Sequence, residues 1–227
     1  MTTHVALLGH PVSHSLSPRM QNAAFAAARL DWHYSAFDVD DPVTAVAALR
    51  ELGFVGANVT IPHKQAVVAA CDEADGEAVN TLILRDGWVV GVNTDREILA
   101  GIRAESACLI GSGGAALTLR PALPANTRIF SRRGEWPPDA TGCDLIVNAT
   151  PVRDELLVEP HAGQVVVELA YSSDGADTTL VAAARAAGCE VVDGLEALVR
   201  QGAKSFELWT GSPAPVGVMR DAVRIPV

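Results

Sequence analysis

Ala107-Cys108-Leu109-Ile110-Gly111-Ser112-Gly113-Gly114-Ala115-Ala116 runs from four small or apolar residues directly into a glycine-rich turn. The first four read as a strand, and a helix opens behind the glycines. Strand, glycine turn and helix in that order make a dinucleotide-binding βα unit. Glycines let the backbone approach a pyrophosphate, and the first N–H groups of the helix carry partial positive charge. The third glycine position of that fingerprint holds Ala116, which the fingerprint admits. Gly111, Ser112, Gly113, Gly114 and Ala115 are therefore candidate cofactor contacts, against the plainer reading of a tight turn.

Downstream, a strand at Arg128–Ser131 ends in Ser131-Arg132-Arg133. An acidic residue there would hold the ribose 2′-hydroxyl of NAD, whereas arginines suit the 2′-phosphate of NADP. The alternative is a solvated pair of arginines at a strand end. Further strands are expected at Leu145–Ala149, Val165–Leu169 and Glu190–Val192. Helices are expected at Thr178–Ala187, Leu195–Trp209 and near Val216–Val223. Pro121 interrupts the helix behind the glycine loop. Only 10 residues, Gly134–Cys143, separate Arg133 from Asp144, and Pro137-Pro138 lies among them. A parallel crossover takes about a dozen residues, so the adenosine side of this half is expected to be trimmed.

Upstream the alternation continues. His4–Gly9 reads as a strand and Ser17–Leu30 as a helix with Ser17 as N-cap and Pro18 in its first turn. A strand at His33–Val39, a helix at Pro42–Leu52 and a strand at Gly56–Thr60 follow. A helix is expected from Pro62, a hairpin from Ala78–Leu84 and Trp88–Val92 around Arg85-Asp86-Gly87, and a helix from about Thr94. The fold class is α/β with mostly parallel sheets in two bodies.

Polar residues gather at the strand ends of this first half: Ser13-His14-Ser15-Leu16-Ser17-Pro18, Asn58-Val59-Thr60-Ile61-Pro62-His63-Lys64, Asn80, and Asn93-Thr94-Asp95. Hydroxyls and amides collected this way suit a polyhydroxylated small molecule. Ser17, Thr94 and Asn80 each also have a plainer reading as cap or turn residue. Lys64 stands out by composition. Of 17 basic residues only Lys64 and Lys204 are lysines; Lys204 reads as an incidental surface residue, whereas the sequence around Lys64 points to a place where a compact ammonium able to release a proton is wanted. His14 and His63 lack a metal-ligand spacing, and no metal is expected.

The 227-residue chain carries a net charge of -10, which argues against a nucleic-acid or membrane-surface partner. No apolar run reaches the roughly 20 residues of a membrane span. The N-terminus has no signal-peptide pattern, and Cys71, Cys108, Cys143 and Cys189 form no CxxC pair. The expected setting is the reducing cytoplasm.

These motifs, in order, resemble the shikimate/quinate dehydrogenase family: Gly9-His10-Pro11 with Ser13–Pro18 and Asn22, Asn58–Lys64, Ala78-Val79-Asn80-Thr81, Gly91–Asp95, the Gly111–Ala116 loop, Asn148-Ala149-Thr150-Pro151, Asp193-Gly194-Leu195 and Gln201-Gly202-Ala203. The resemblance implies an N-terminal α/β substrate-binding domain, residues 1–100, onto which a C-terminal helix at 212–227 packs back. It also implies a Rossmann-like NADP-binding domain at 101–211. By motif, Lys64 and Asp95 would be the catalytic pair. Ser15 and Ser17 would hold the substrate carboxylate, and Thr60, Asn80, Asp95 and Gln201 its ring hydroxyls, with Tyr171 near the substrate. Asn148, Thr150 and Gly194 join the cofactor contacts.

The implied activity is NADP-dependent reversible reduction of 3-dehydroshikimate to shikimate. Lys64 would carry the proton and the cofactor the hydride. The partner would be that small molecule, in a monomer or homodimer. The chain departs from the family pattern at Val152-Arg153-Asp154, where a Gly-Met is usual, and at Gln21, where histidine often precedes Asn22. Dehydrogenation of quinate, aminoshikimate or another cyclitol acid is the alternative within the class. A non-catalytic shikimate or NADP sensor is the alternative outside it.

Overall fold

The computed structural model describes residues 1–224. The chain divides into two compact units, Met1–Glu97 joined by the stretch from Val199 onward, and Ile98–Leu198.

The first unit contains, in chain order, β1 (Thr3–Gly9), α1 (Ser17–Ala27), β2 (Trp32–Asp38), α2 (Pro42–Glu51), β3 (Gly56–Val59), β4 (Glu73–Ala74), β5 (Thr81–Arg85) and β6 (Trp88–Val92). Its sheet order is β2-β1-β3-β5-β6-β4. β1 lies parallel to β2 and β3, β5 is antiparallel to β3, and β6 is antiparallel to β5. The β5–β6 hairpin turns through Asp86 and Gly87, both at positive φ (54° and 78°). That is the two-residue turn whose twist matches the strands, and the reason an Asp-Gly stands there.

Two expected helices do not form. After Pro62 the chain makes only a 3₁₀ turn at Ala66–Ala70. The Lys64 carbonyl is taken by the Val79 N–H at 2.9 Å, which ties this segment to the chain entering β5. After Thr94 a 3₁₀ turn covers Asp95–Leu99 in place of an α-helix. Ser17 is not the N-cap of α1. Leu16 holds that position, and the Ser15 hydroxyl instead accepts the Ser17 N–H at 3.2 Å.

The second unit contains β7 (Ser106–Ile110), α3 (Gly114–Leu119), β8 (Asn126–Phe130), β9 (Leu145–Asn148), β10 (Val165–Glu168), α4 (Thr179–Ala186) and β11 (Glu190–Val192). The sheet is parallel throughout, in the order β11-β10-β9-β7-β8. Alternate residues of β7 enter opposite cores. Ala107 and Leu109 pack with Leu119, Val147 and Val167, while Cys108 and Ile110 pack with Phe130, Ile146 and Leu180. A strand covered on both faces needs an unbroken apolar run, which is what Ala107–Ile110 supplies. α3 ends after six residues, and the Pro121 segment continues as a 3₁₀ turn at Arg120–Ala122. Between β8 and β9 no helix forms, as the short proline-bearing connection requires.

α5 (Gly194–Thr210) and α6 (Val216–Arg224) complete the chain. The expected boundary at 211 needs correction. From Val199 onward α5 belongs to the first unit, because its apolar face is built for that core. Phe206 stacks on Phe25 of α1 at 5.5 Å, and Trp209 Nε1 donates to the Leu82 carbonyl at 2.9 Å. Gly56 must be glycine for that contact, since a Cβ would fall 2.2 Å from Trp209 Nε1. α6 packs on α1, with Met219, Ala222 and Val223 inward. The last three residues of the expected 212–227 segment lie outside the described residues.

Candidate active site

The register of the first sheet brings the polar motifs to one edge. β1 and β3 are parallel, so the loops carrying Ser15, Ser17, Thr60 and Lys64 leave at the same end. β5 is antiparallel, with Asn58 opposite Thr81, so Asn80 sits where β3 finishes. β6 returns to that edge, with Val92 opposite Thr81, and delivers Asn93-Thr94-Asp95.

Lys64 Nζ pairs with Asp95 Oδ2, and both residues are buried, 8% and 3% exposed. Taking two charges out of water costs several kcal/mol each before their attraction is counted. An apolar pair of similar volume would often serve stability as well, so packing alone does not call for this pair. Asp95 Oδ1 accepts from Asn80 Nδ2 at 2.7 Å, and the Asp95 N–H donates to Asn93 Oδ1 at 3.1 Å. Both carboxylate oxygens are thereby held. Asn80 Nδ2 also faces Thr94 Oγ1 at 3.0 Å and Gln201 Oε1 at 3.4 Å, and Asn80 Oδ1 accepts the Thr94 N–H at 2.8 Å. One amide thus orients the Asp95 carboxylate, the turn that bears it, and α5.

Behind this lies a second set of contacts that sequence reasoning missed. Asn58 Nδ2 donates to Thr81 Oγ1 (3.0 Å) and Ser205 Oγ (2.9 Å), and Asn58 Oδ1 accepts from the Tyr34 hydroxyl (2.8 Å). Thr81 and Ser205 meet at 2.8 Å. Asn58 and Thr81 lie inside the quoted motifs. Tyr34 and Ser205 had no local signal, because their meaning is contact across 24 and 147 residues of sequence.

Structure also settles several side chains. His63 Nε2 lies 2.7 Å from the Val39 carbonyl, so that nitrogen carries the hydrogen and donates. His10, at the end of β1, bonds Asp38 Oδ1 at 2.5 Å and is raised above its usual pKa by that bond. It flanks the loop bearing Ser15 and Ser17. Ser17 is buried and Ser15 and Thr60 half-buried. Lys204 keeps its plain surface role, 4.0 Å from Glu207. No group of His, Cys, Asp and Glu among the described residues could hold a metal ion. All four cysteines are free thiols, and no helix among the described residues is long and apolar enough to cross a membrane.

In the second unit, the strand order leaves a switch point between β7 and β9, where doubly wound sheets take their ligands. Gly111 follows β7 there at φ 123°, and a Cβ on it would lie 3.1 Å from the Ala149 carbonyl oxygen. Ser112 and Gly113 are exposed, and Gly113 has open space where a Cβ would point. Behind them the first N–H groups of α3, from Gly114 and Ala115, have no intrahelical acceptor. Ser131 closes a turn by accepting the Gly134 N–H at 2.9 Å, which leaves Arg132 and Arg133 exposed beyond β8. Arg132 lies 5.5 Å from the centre of the Trp136 ring and 3.4 Å from Glu155. An open glycine cradle with two exposed arginines fits a dinucleotide bearing an extra phosphate.

The remaining candidates have internal work. Asn148 Nδ2 donates to both oxygens of Glu168 at 3.1 and 3.0 Å, and its Oδ1 accepts from the Thr150 N–H and hydroxyl at 3.0 and 2.7 Å. It shapes the loop that carries Thr150. Gly194 is glycine because a Cβ would fall 2.2 Å from the Ala170 oxygen. The half-buried Tyr171 belongs to this second unit, and its carbonyl accepts from Arg153 at 3.3 Å.

Comparison with known proteins agrees with this arrangement. Residues 7–82 match the shikimate dehydrogenase substrate binding domain, and residues 194–224 match the shikimate 5′-dehydrogenase C-terminal domain. The NADP(+) shikimate dehydrogenase of Moorella thermoacetica is 37% identical, with 97% of this chain and 92% of that protein aligned. That alignment spans 273 positions against a chain of 227 residues, so the relative carries segments that are missing here. A shikimate dehydrogenase solved in complex with NADP+ superposes with a TM-score of 0.85 at 31% identity, covering 98% of this chain and 94% of its own. The shikimate 5-dehydrogenase of Thermus thermophilus, solved with NADP(H) and shikimate, gives 0.84 at 30% identity, covering 98% and 99%. With identities of 30% or more over nearly the full length of each aligned pair, the chain belongs to the shikimate dehydrogenase family.

Proposed function

We propose that the protein is an NADP-dependent shikimate dehydrogenase that interconverts 3-dehydroshikimate and shikimate. The observation that carries the reading is the buried Lys64–Asp95 pair, oriented by Asn80 and set beside Gln201. NADP, when bound, supplies or accepts the hydride. The chain's part is to move one proton at the same oxygen and to hold both reactants. In the reducing direction the Lys64 ammonium gives its proton to the ring carbonyl oxygen as the carbon gains the hydride. In the reverse direction the Lys64 amine takes the hydroxyl proton as the hydride leaves. Asp95 keeps Nζ in place and holds the charge of the ammonium. Its own orientation is set by Asn80 and by its contact with Asn93.

Ser15 and Ser17 donate to the substrate carboxylate, and Thr60, Asn80, Asp95 and Gln201 divide its hydroxyls. The cofactor is taken by Gly111, Ser112, Gly113, Gly114 and Ala115 along the pyrophosphate and by Ser131, Arg132 and Arg133 at the 2′-phosphate. Thr150, braced by Asn148, and Gly194 form the neighbouring wall. The enzyme works in the cytoplasm, as a monomer or homodimer.

NADPH formation from shikimate and NADP at alkaline pH tests the reading, with quinate and NAD as parallel arms. Turnover with shikimate and NADP is expected. Turnover confined to another arm would move the substrate or cofactor assignment. Silence in every arm with shikimate still bound in calorimetry would favour the sensor.

A further inference from the structure

Glu168 closes β10 with 0% of its surface exposed, and the proton transfer above does not use it. Its contacts are all donors. Asn148 Nδ2 reaches both oxygens, the Ala170 N–H lies 2.9 Å from Oε1, the Thr178 hydroxyl lies 3.1 Å from Oε2, and the Leu169 N–H also bonds it. No cation is among the groups that act on it. An ionised carboxylate only accepts, so it suits this ring of donors, whereas the acid must thrust a hydrogen among them.

The donors belong to three segments that meet at the end of β10. Asn148 begins the turn in which Thr150 is held, and that turn forms the wall against Gly111. A Cβ on Gly111 would lie 3.1 Å from the Ala149 oxygen and 3.4 Å from Thr150 Cγ2. Ala170 leads into Tyr171, and Thr178 is the N-cap of α4, its hydroxyl accepting the Val181 N–H at 3.3 Å.

We propose that the ionised form of Glu168 is a positioning residue for the cofactor: acting through Asn148, it holds the Asn148–Thr150 turn against Gly111 in the shape that takes the dinucleotide. The inference rests on the NADP reading above. Burial with no counter-charge lifts the carboxyl to about 7, so the two forms exchange near neutral pH. The charged side chains on the adjoining segments are engaged elsewhere. Arg153 donates to the Tyr171 carbonyl, Asp174 accepts the Ala176 N–H, and Arg185 pairs with Asp177 and Asp193.

The test is the NADP dissociation constant at pH 6 and pH 8, with kcat at saturating cofactor, for wild type and Glu168→Gln. Wild type is expected to bind about tenfold more tightly at pH 8, since one pH unit below a pKa leaves about a tenth of the group ionised. Glu168→Gln is expected to bind about tenfold more weakly at pH 8. Its pH step should shrink to under about threefold, the remainder being the ligand's own phosphate titration. Its kcat at saturating cofactor should stay within about twofold of wild type. A variant that keeps the full step, or one that loses kcat with unchanged NADP affinity, overturns the inference. Should Glu168→Gln fail to fold, Glu168→Asp is expected to retain the step, and its absence there would be equally fatal. Wild-type binding that ignores pH removes this inference and leaves the cofactor reading standing. No NADP binding at any pH removes both.

Discussion

Each unit of this protein buries one carboxylate at the end of a strand, and the two are answered differently. Asp95 is matched by the Lys64 ammonium and by one amide, whereas Glu168 is matched by neutral donors alone. A carboxylate set against a cation can hold that cation in place. One held only by dipoles titrates near neutrality, because no opposite charge offsets its desolvation. The first arrangement serves a proton carrier and the second serves a loop.

Removing the cation should break the contrast most strongly. Lys64→Ala is expected to lower kcat about a thousandfold, in the range of general acid–base contributions, while the shikimate KM moves only a few-fold. Steady-state kinetics reads both, and an unchanged kcat would take Lys64 out of the mechanism.

The second carboxylate should reveal itself in stability. The folded state keeps the Glu168 proton to about pH 7, against an ordinary value of 4.5. Its contribution is therefore fully present below about pH 4.5 and is lost as pH rises through about 7, amounting to about 3 kcal/mol. Urea unfolding of wild type and Glu168→Gln between pH 5 and pH 8 should show wild type losing about 2.5 kcal/mol more. Parallel curves would mean the carboxyl is not held neutral by burial.

A smaller effect sharpens where the cofactor unit reads charge. Arg132→Ala with Arg133→Ala is expected to raise the NADP KM roughly tenfold to a hundredfold and leave NAD almost unchanged, the loss of charge-assisted hydrogen bonds. Equal loss with both cofactors would refute the 2′-phosphate assignment.

Least of all should change in Ser205→Ala. Three hydroxyl and amide partners share that position, so about 1 kcal/mol of stability is expected to go. A kcat change beyond about threefold would show that the layer behind Asn80 enters the chemistry directly.

The two carboxylates also show where a sequence can be read. Asp95 stands in a motif with Asn93, whose Oδ1 accepts the Asp95 N–H two positions away, so its place among the polar strand ends was legible. Glu168 ends Val165–Glu168, an apolar strand pattern, and its side-chain donors, Asn148 and Thr178, stand 20 and 10 positions away. Nothing local marks it. The same distinction holds in the fold. β7, the hairpin at Asp86-Gly87 and the missing crossover helix follow from local chemistry and length. The helix expected at Pro62 fails because the Lys64 carbonyl bonds Val79, a partner 15 positions away. The boundary at 211 fails because α5 completes the core of a unit whose other strands begin at residue 3.

α5 and α6 are the last elements among the described residues, yet they cover a sheet that begins with β1. During synthesis the strands from β1 to β6 emerge long before Phe206 can cover Phe25 or Ser205 can bond Asn58, a separation of 147 residues. The parallel body between them is continuous and can close as soon as β11 is out, while the older half waits with an apolar face open. The order of completion therefore runs opposite to the order of birth. A chain cut short just before Val199 would leave a finished second unit attached to an unfinished first one.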